Sequence, residues 1–120
     1  MIKAYKLYTG GDGHSHFTEG TVAESNLTDV ASILFKETPP LSVYGWHTAP
    51  TTQYVITLSG TLRFETLTGE IFILKPGEVL IAMDTTGTGH KWQLIDDQPW
   101  RRVYILFKEG AEINFIPDGQ

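Results

Sequence analysis

Trp46-His-Thr-Ala-Pro-Thr-Thr-Gln-Tyr-Val-Ile-Thr-Leu-Ser-Gly60, running into Thr61-Leu-Arg-Phe-Glu-Thr66, decides the fold class of this chain. Thr52 to Ser59 is rich in β-branched and aromatic residues, which suit a pleated surface better than a helix. Leu62 and Phe64 then alternate with Arg63 and Glu65, the two-residue period of a half-buried strand. A glycine between two such runs predicts a hairpin turning at Ser59-Gly60.

The same grammar extends in both directions. Upstream, Leu41 to His47 reads as a strand, and the apolar segment around Ile33 and Phe35 is stopped by Pro39-Pro40, since proline fixes φ and offers no ladder donor. Downstream, Thr68-Gly69 turns into a strand from Glu70 to Lys75, and Pro76-Gly77 turns into another from Glu78 to Met83. A polar, glycine-rich loop, Asp84 to Gly89, leads to a strand from His90 to Ile95. Asp96 to Pro99 turns into a last strong strand from Arg101 to Lys108. Only Glu24 to Ala31, with Ser25 or Thr28 as cap, predicts a short helix. Short strands, tight turns and no repeated unit predict an all-β sandwich or barrel.

At 120 residues, 41% hydrophobic, the chain is predicted to form one domain with a single core. Nine Lys plus Arg against fourteen Asp plus Glu leave a net charge of −5, with no basic cluster beyond Arg101-Arg102, so nucleic acid is not an expected partner. Of that pair, alternation along a strand leaves at most one able to meet an anionic ligand, and a surface role is expected. The absence of cysteine excludes a disulfide framework, a thiol nucleophile and thiolate-held metals, so a metal here falls to His, carboxylate or amide. No apolar run approaches the roughly 20 residues needed to cross a bilayer. Met1 to Lys6 carries no apolar signal core, which predicts a cytoplasmic protein without membrane contact. Both alternating sets around Tyr54 to Leu58 are largely apolar, which predicts a partner subunit over the outer face, hence a homodimer.

His47 ends one strand, Gln53 begins the next, and His90 opens a later one. On neighbouring strands of one barrel, two imidazoles and an amide oxygen would converge at its mouth, where ligands commonly bind. Residues 41 to 107 resemble a single-domain cupin. Its first motif sets His-x-His, then Glu or Gln, then Gly, matched here by His47, Gln53 and Gly60. Its second sets Gly, Pro-Gly and a histidine, matched by Gly69, Pro76-Gly77 and His90. The wording of Trp46 to Gly60 and Asp84 to His90, with Tyr8 to Gly13, further resembles small cupins of uncharacterised function. The resemblance implies an RmlC-like jelly-roll barrel over residues 1–120, with 1–23 as an N-terminal strand segment. It also implies a divalent metal, Fe, Mn, Ni or Zn, held by His47, Gln53 and His90. One departure bears on that metal: the second histidine of the first motif falls on Ala49, which has no donor atom.

Three further residues are candidates for contact with a small-molecule ligand. Trp92 shares a strand face with His90 and reads as a pocket wall or as core. Asp84 could orient His90 or simply make an Asx turn. His14-Ser15-His16 reads mainly as a solvated turn, with His16 the more suited to face the barrel. The catalytic residues are unassigned, and three functions stand open. The barrel binds a small polar molecule with or without metal; it works as a metal-free sugar or keto-acid isomerase or epimerase through His47 or His90; or it is a non-catalytic binding domain.

Overall fold

The computed structural model describes residues 1–119, which form eleven strands and no helix among them. They are β1 (Ile2–Thr9), β2 (Ser15–Val22), β3 (Val30–Thr38), β4 (Val43–His47), β5 (Gln53–Ser59), β6 (Leu62–Thr66), β7 (Ile71–Leu74), β8 (Val79–Met83), β9 (His90–Leu94), β10 (Trp100–Phe107) and β11 (Phe115–Pro117). Among the described residues no helix is long and apolar enough to cross a membrane. Two sheets face each other, one ordered β11-β2-β1-β8-β5-β10-β3 and the other β4-β9-β6-β7. Strands β3 to β10 thus supply β3-β10-β5-β8 to one wall and β4-β9-β6-β7 to the other, the interleaved order of a jelly roll. The N-terminal hairpin widens the first wall, because β1 lies parallel to β8 with Ala4 opposite Val79.

Two sequence expectations are corrected. Ser59-Gly60 does not close a hairpin: β5 pairs with β8 and β10, while β6 joins the opposite sheet. Gly60, at φ 89°, carries the chain across, and a Cβ there would lie 3.0 Å from the Pro99 carbonyl oxygen. The local signal is the same for a hairpin and a sheet-to-sheet crossing, and the long-range partners decide between them. Glu24 to Ala31 is not helical; it is a loop that enters β3 at Val30. So short a segment cannot repay helix nucleation in isolation, whereas Val30 gains a ladder position opposite Phe107.

The core lies between the walls and is uneven. A stack of Tyr5 on Phe72, at 4.6 Å between centroids, and Phe72 on Phe64, at 5.0 Å, fills the side beneath β6 and β7. Leu7, Leu62 and Leu74, each fully buried, complete that packing. Each such side chain contributes about 1.5–3 kcal/mol by leaving water. The side framed by β3, β4, β9 and β10 is left open as a cavity. Outside the first wall, a smaller cluster sets Tyr54, Val79 and Ile81 under Ile113 and Phe115. The outer face at Tyr54 is therefore covered by the chain's own C-terminal segment, and Tyr54 Oη donates to the Ile113 carbonyl at 2.6 Å. Leu58, on the same face, stays 56% exposed.

Candidate functional site

The antiparallel pairing of β4 with β9 sets His47 directly opposite His90. Side chains at such a position share one sheet face with Cβ atoms about 5 Å apart, and the two rings meet edge to face with centroids 4.4 Å apart. Gly89 makes the approach possible: it takes φ 75°, and a Cβ on it would sit 2.1 Å from the His47 carbonyl oxygen. Gln53 enters from the opposite wall, at the start of β5 and opposite Ala82. All three line one cavity of about 820 Å³, with Trp92 as an apolar wall beside Trp100 at 4.8 Å.

Each imidazole has one nitrogen committed. His47 Nδ1 lies 2.7 Å from the Gly45 carbonyl oxygen, which can only accept, so Nδ1 carries the proton. His90 Nδ1 lies 2.6 Å from Asp84 Oδ2, and the same oxygen accepts from Ser15 Oγ at 2.7 Å. Asp84 and Ser15 are both fully buried. The two Nε2 atoms have no protein partner among the described residues and are not sealed in the packing, which leaves them available to the cavity that both rings line. Burial holds the His47 imidazole below the ordinary histidine range, against the bond to Gly45 and with the charge of His90 acting in the same direction as burial. A neutral ring with a fixed Nδ1 proton presents a lone pair at Nε2, which suits metal ligation or proton acceptance.

Among the described residues no group of three or more His, Asp and Glu gathers with metal-ligand geometry. The donor set available is two Nε2 atoms and the Gln53 amide oxygen. These are neutral, but the buried Asp84 carboxylate behind His90 supplies negative charge one hydrogen bond away, the second-layer arrangement that raises ligand basicity. Ala49, only 4% exposed and lining the cavity, leaves a position open where a further donor would sit. The residues present therefore fit a divalent ion with open coordination positions.

The structure distributes the six sequence candidates unequally. His47, Gln53, His90 and Trp92 share the cavity. Asp84 reaches it only through His90, so it is placed to orient that ring rather than to touch a ligand. His16 is not brought to the cavity. The alternation of β2 that buries Ser15 turns His16 outward, between Glu70 and Asp12. Those two carboxylates, Glu70 first, hold its pKa above the ordinary range. His14 bonds Thr88 Oγ1 at 3.1 Å at the same rim.

Sequence reasoning missed Ser15, and its expectation of a surface role for Arg101-Arg102 is corrected for Arg102, which is buried. Ser15 was hidden between two histidines that draw attention to the opposite face, and its parity within His14-Ser15-His16 was the available signal. Arg102, only 3% exposed, lines the cavity, whereas Arg101 is exposed and pairs with Glu37 at 2.5 Å. The alternation of the pair was legible; which member faced inward was not.

No family model and no curated protein matches the sequence. Among solved structures, a cupin domain from Bordetella pertussis Tohama I is 25% identical over 74% of this chain and 91% of that one, with a TM-score of 0.50. A DUF861 family protein from Thermotoga maritima is 21% identical over 63% and 77%, with a TM-score of 0.49. The Cupin_2 domain of an XRE family transcriptional regulator from Enterobacter cloacae is 18% identical over 90% and 99%, with a TM-score of 0.36.

Proposed function

We propose that this chain, an all-β protein with the single-domain cupin fold, binds a small polar molecule in its barrel through His47, His90 and Gln53, which also hold a divalent metal. The observation that carries the reading is the pinning of both Nδ1 protons, at 2.7 Å on Gly45 and 2.6 Å on Asp84, which leaves two Nε2 lone pairs available to one cavity. Bound there, an ion would act as a Lewis acid on a carbonyl or carboxylate, or support oxygen chemistry if iron. His47 and His90 are the imidazole ligands, Gln53 orients a ligand or gives its amide oxygen, and Trp92 excludes water from one side.

A second reading is favoured by the Asp84 to His90 bond. A fully buried carboxylate on Nδ1 keeps the ring in one tautomer and one orientation, as an acid/base imidazole requires. Without a metal, His90 Nε2 would then exchange a proton with a sugar or keto-acid, with His47 as its neutral neighbour. Elemental analysis of tag-free protein purified without chelator, beside His47→Ala, separates the two. The metal reading expects a near-stoichiometric first-row ion lost in the variant. No ion retained, and none taken up from Fe, Mn, Ni or Zn, contradicts it and leaves the acid/base reading.

The assembly proposed is a homodimer. β3 is an edge strand paired only with β10, and Ile33, Leu34 and Phe35 on it are 59%, 54% and 72% exposed. An open apolar edge of this kind is a template for pairing with another strand, and two-fold pairing of β3 with its own copy satisfies both edges at once. Leu34 also lines the cavity, so a copy seated there would close the cavity wall. Light scattering at micromolar concentration checks this: twice the chain mass is expected, and a monomer mass contradicts it.

A further inference from the structure

We propose that the Arg102 side of the cavity is a carboxylate-binding site, with Arg102 as anchor and Lys36 as second cation, so that the small polar molecule is an organic anion. This deepens the reading of the cavity given above and rests on it. Arg102 is 3% exposed, and its guanidinium carbon lies 3.8 Å from the centre of the Trp100 ring. Nε donates to Tyr104 Oη at 3.1 Å, and Nη1 donates to Thr38 Oγ1 at 2.6 Å and to the Trp100 carbonyl at 3.0 Å. Those contacts fix the plane of the group and use three of its five N–H donors.

Nη2 keeps two donors with no partner among the described residues. It is not sealed in the packing, because the one buried side-chain nitrogen or oxygen without a partner there is Asp84 Oδ1. Nη2 therefore opens to the cavity that Arg102 lines. No carboxylate of the described residues pairs with Arg102 or with Lys36. A buried cation without a counter-charge is costly.

Lys36 stands directly opposite Arg102 in the pairing of β3 with β10, on the same face, and also lines the cavity. Like charges at that position repel unless an anion lies between them. No Asp or Glu among the described residues lines the cavity, in a chain whose net charge is −5. A carboxylate accepting from Nη2 and from the Lys36 ammonium satisfies both. Arg102 sits opposite Thr57, and Gln53 opposite Leu106 on the same strand pair, which sets the two anchors about 13 Å apart along the sheet. A ligand held by its carboxylate at Arg102 thus presents its other end toward His47 and His90.

Calorimetric titration with sodium malonate and with malonamide, its neutral analogue, tests the assignment on the wild-type protein, Arg102→Lys and Lys36→Gln. Malonate is expected to bind the wild type at least about tenfold more tightly than malonamide, the worth of charge-assisted bonds. Arg102→Lys should cost about tenfold or more and Lys36→Gln about threefold, with malonamide unaffected by either. Lys36 is exposed, so its variant keeps the test decisive even if the Arg102 variant fails to fold. No malonate binding by the wild type, or equal affinity in wild type and Lys36→Gln, overturns the proposal. Metal retained at His47 in a protein that does not bind malonate overturns this assignment alone. Malonate binding that weakens in Lys36→Gln supports it whether or not a metal is retained.

Discussion

Four histidines form two pairs that the fold treats in opposite ways. His47 and His90 face each other across β4 and β9, half-buried and buried, each with Nδ1 bonded and Nε2 available to the cavity. His14 ends the loop before β2, and His16 lies on β2 itself between two carboxylates. Desolvation lowers the pKa of His47, whereas Glu70 and Asp12 raise that of His16. Burial disfavours the charged form of His47, while the carboxylates beside His16 favour its charged form. A His-x-His in the sequence is thus no guide to ligation by itself. What counts is the environment to which each strand's parity delivers the ring.

The largest expected departure between the pairs comes from removing their carboxylates. Asp84→Ala strips Ser15 and His90 of a buried partner at once and should cost about 3 kcal/mol in urea unfolding. Asp12→Ala, on the exposed pair, should leave the unfolding midpoint nearly unchanged, and equal losses would erase the distinction. Gly89→Ala forces a Cβ to within 2.1 Å of the His47 carbonyl oxygen at a left-handed φ, so a loss of about 1–3 kcal/mol is expected, accompanied by separation of the two rings. Ala49→His adds a third imidazole to the inner pair and should raise affinity for Zn or Ni about tenfold or more by competition with a chelator. No gain there would show that the position does not face the site.

The smallest effects lie in titration. His16 should show an NMR midpoint above 6.5 and His47 one below it. The signs of the linked stability are opposite. The raised pKa of His16 contributes stability that is full below about 6.5 and is lost as pH rises through its folded value. The lowered pKa of His47 contributes stability present above about 6.5 and lost as pH falls through its folded value.

The strands were legible because alternation and turn residues are local. Leu62 to Thr66 and Ile71 to Leu74 pair across Thr68-Gly69 as their pattern requires. The sheet exchange at Gly60 was not legible, since what separates it from a hairpin is the pairing of β5 with β10, 40-odd residues downstream. At the site, His47, Gln53 and His90 sit at strand ends, and strand ends can be read from sequence. Ser15 opens β2 between two histidines and Arg102 lies within β10, and for both only the identity of the inward face, a tertiary fact, singles them out.

Nitrogen NMR of the histidine rings at pH 7.5, before and after addition of Zn, tests whether His47 and His90 offer their Nε2 atoms to an ion. Nδ1–H tautomers are expected for both His47 and His90, with their Nε2 signals moving on addition of the ion while those of His14 and His16 stay in place. Nε2–H tautomers for the inner pair, or a response confined to His14 and His16, would contradict the metal reading.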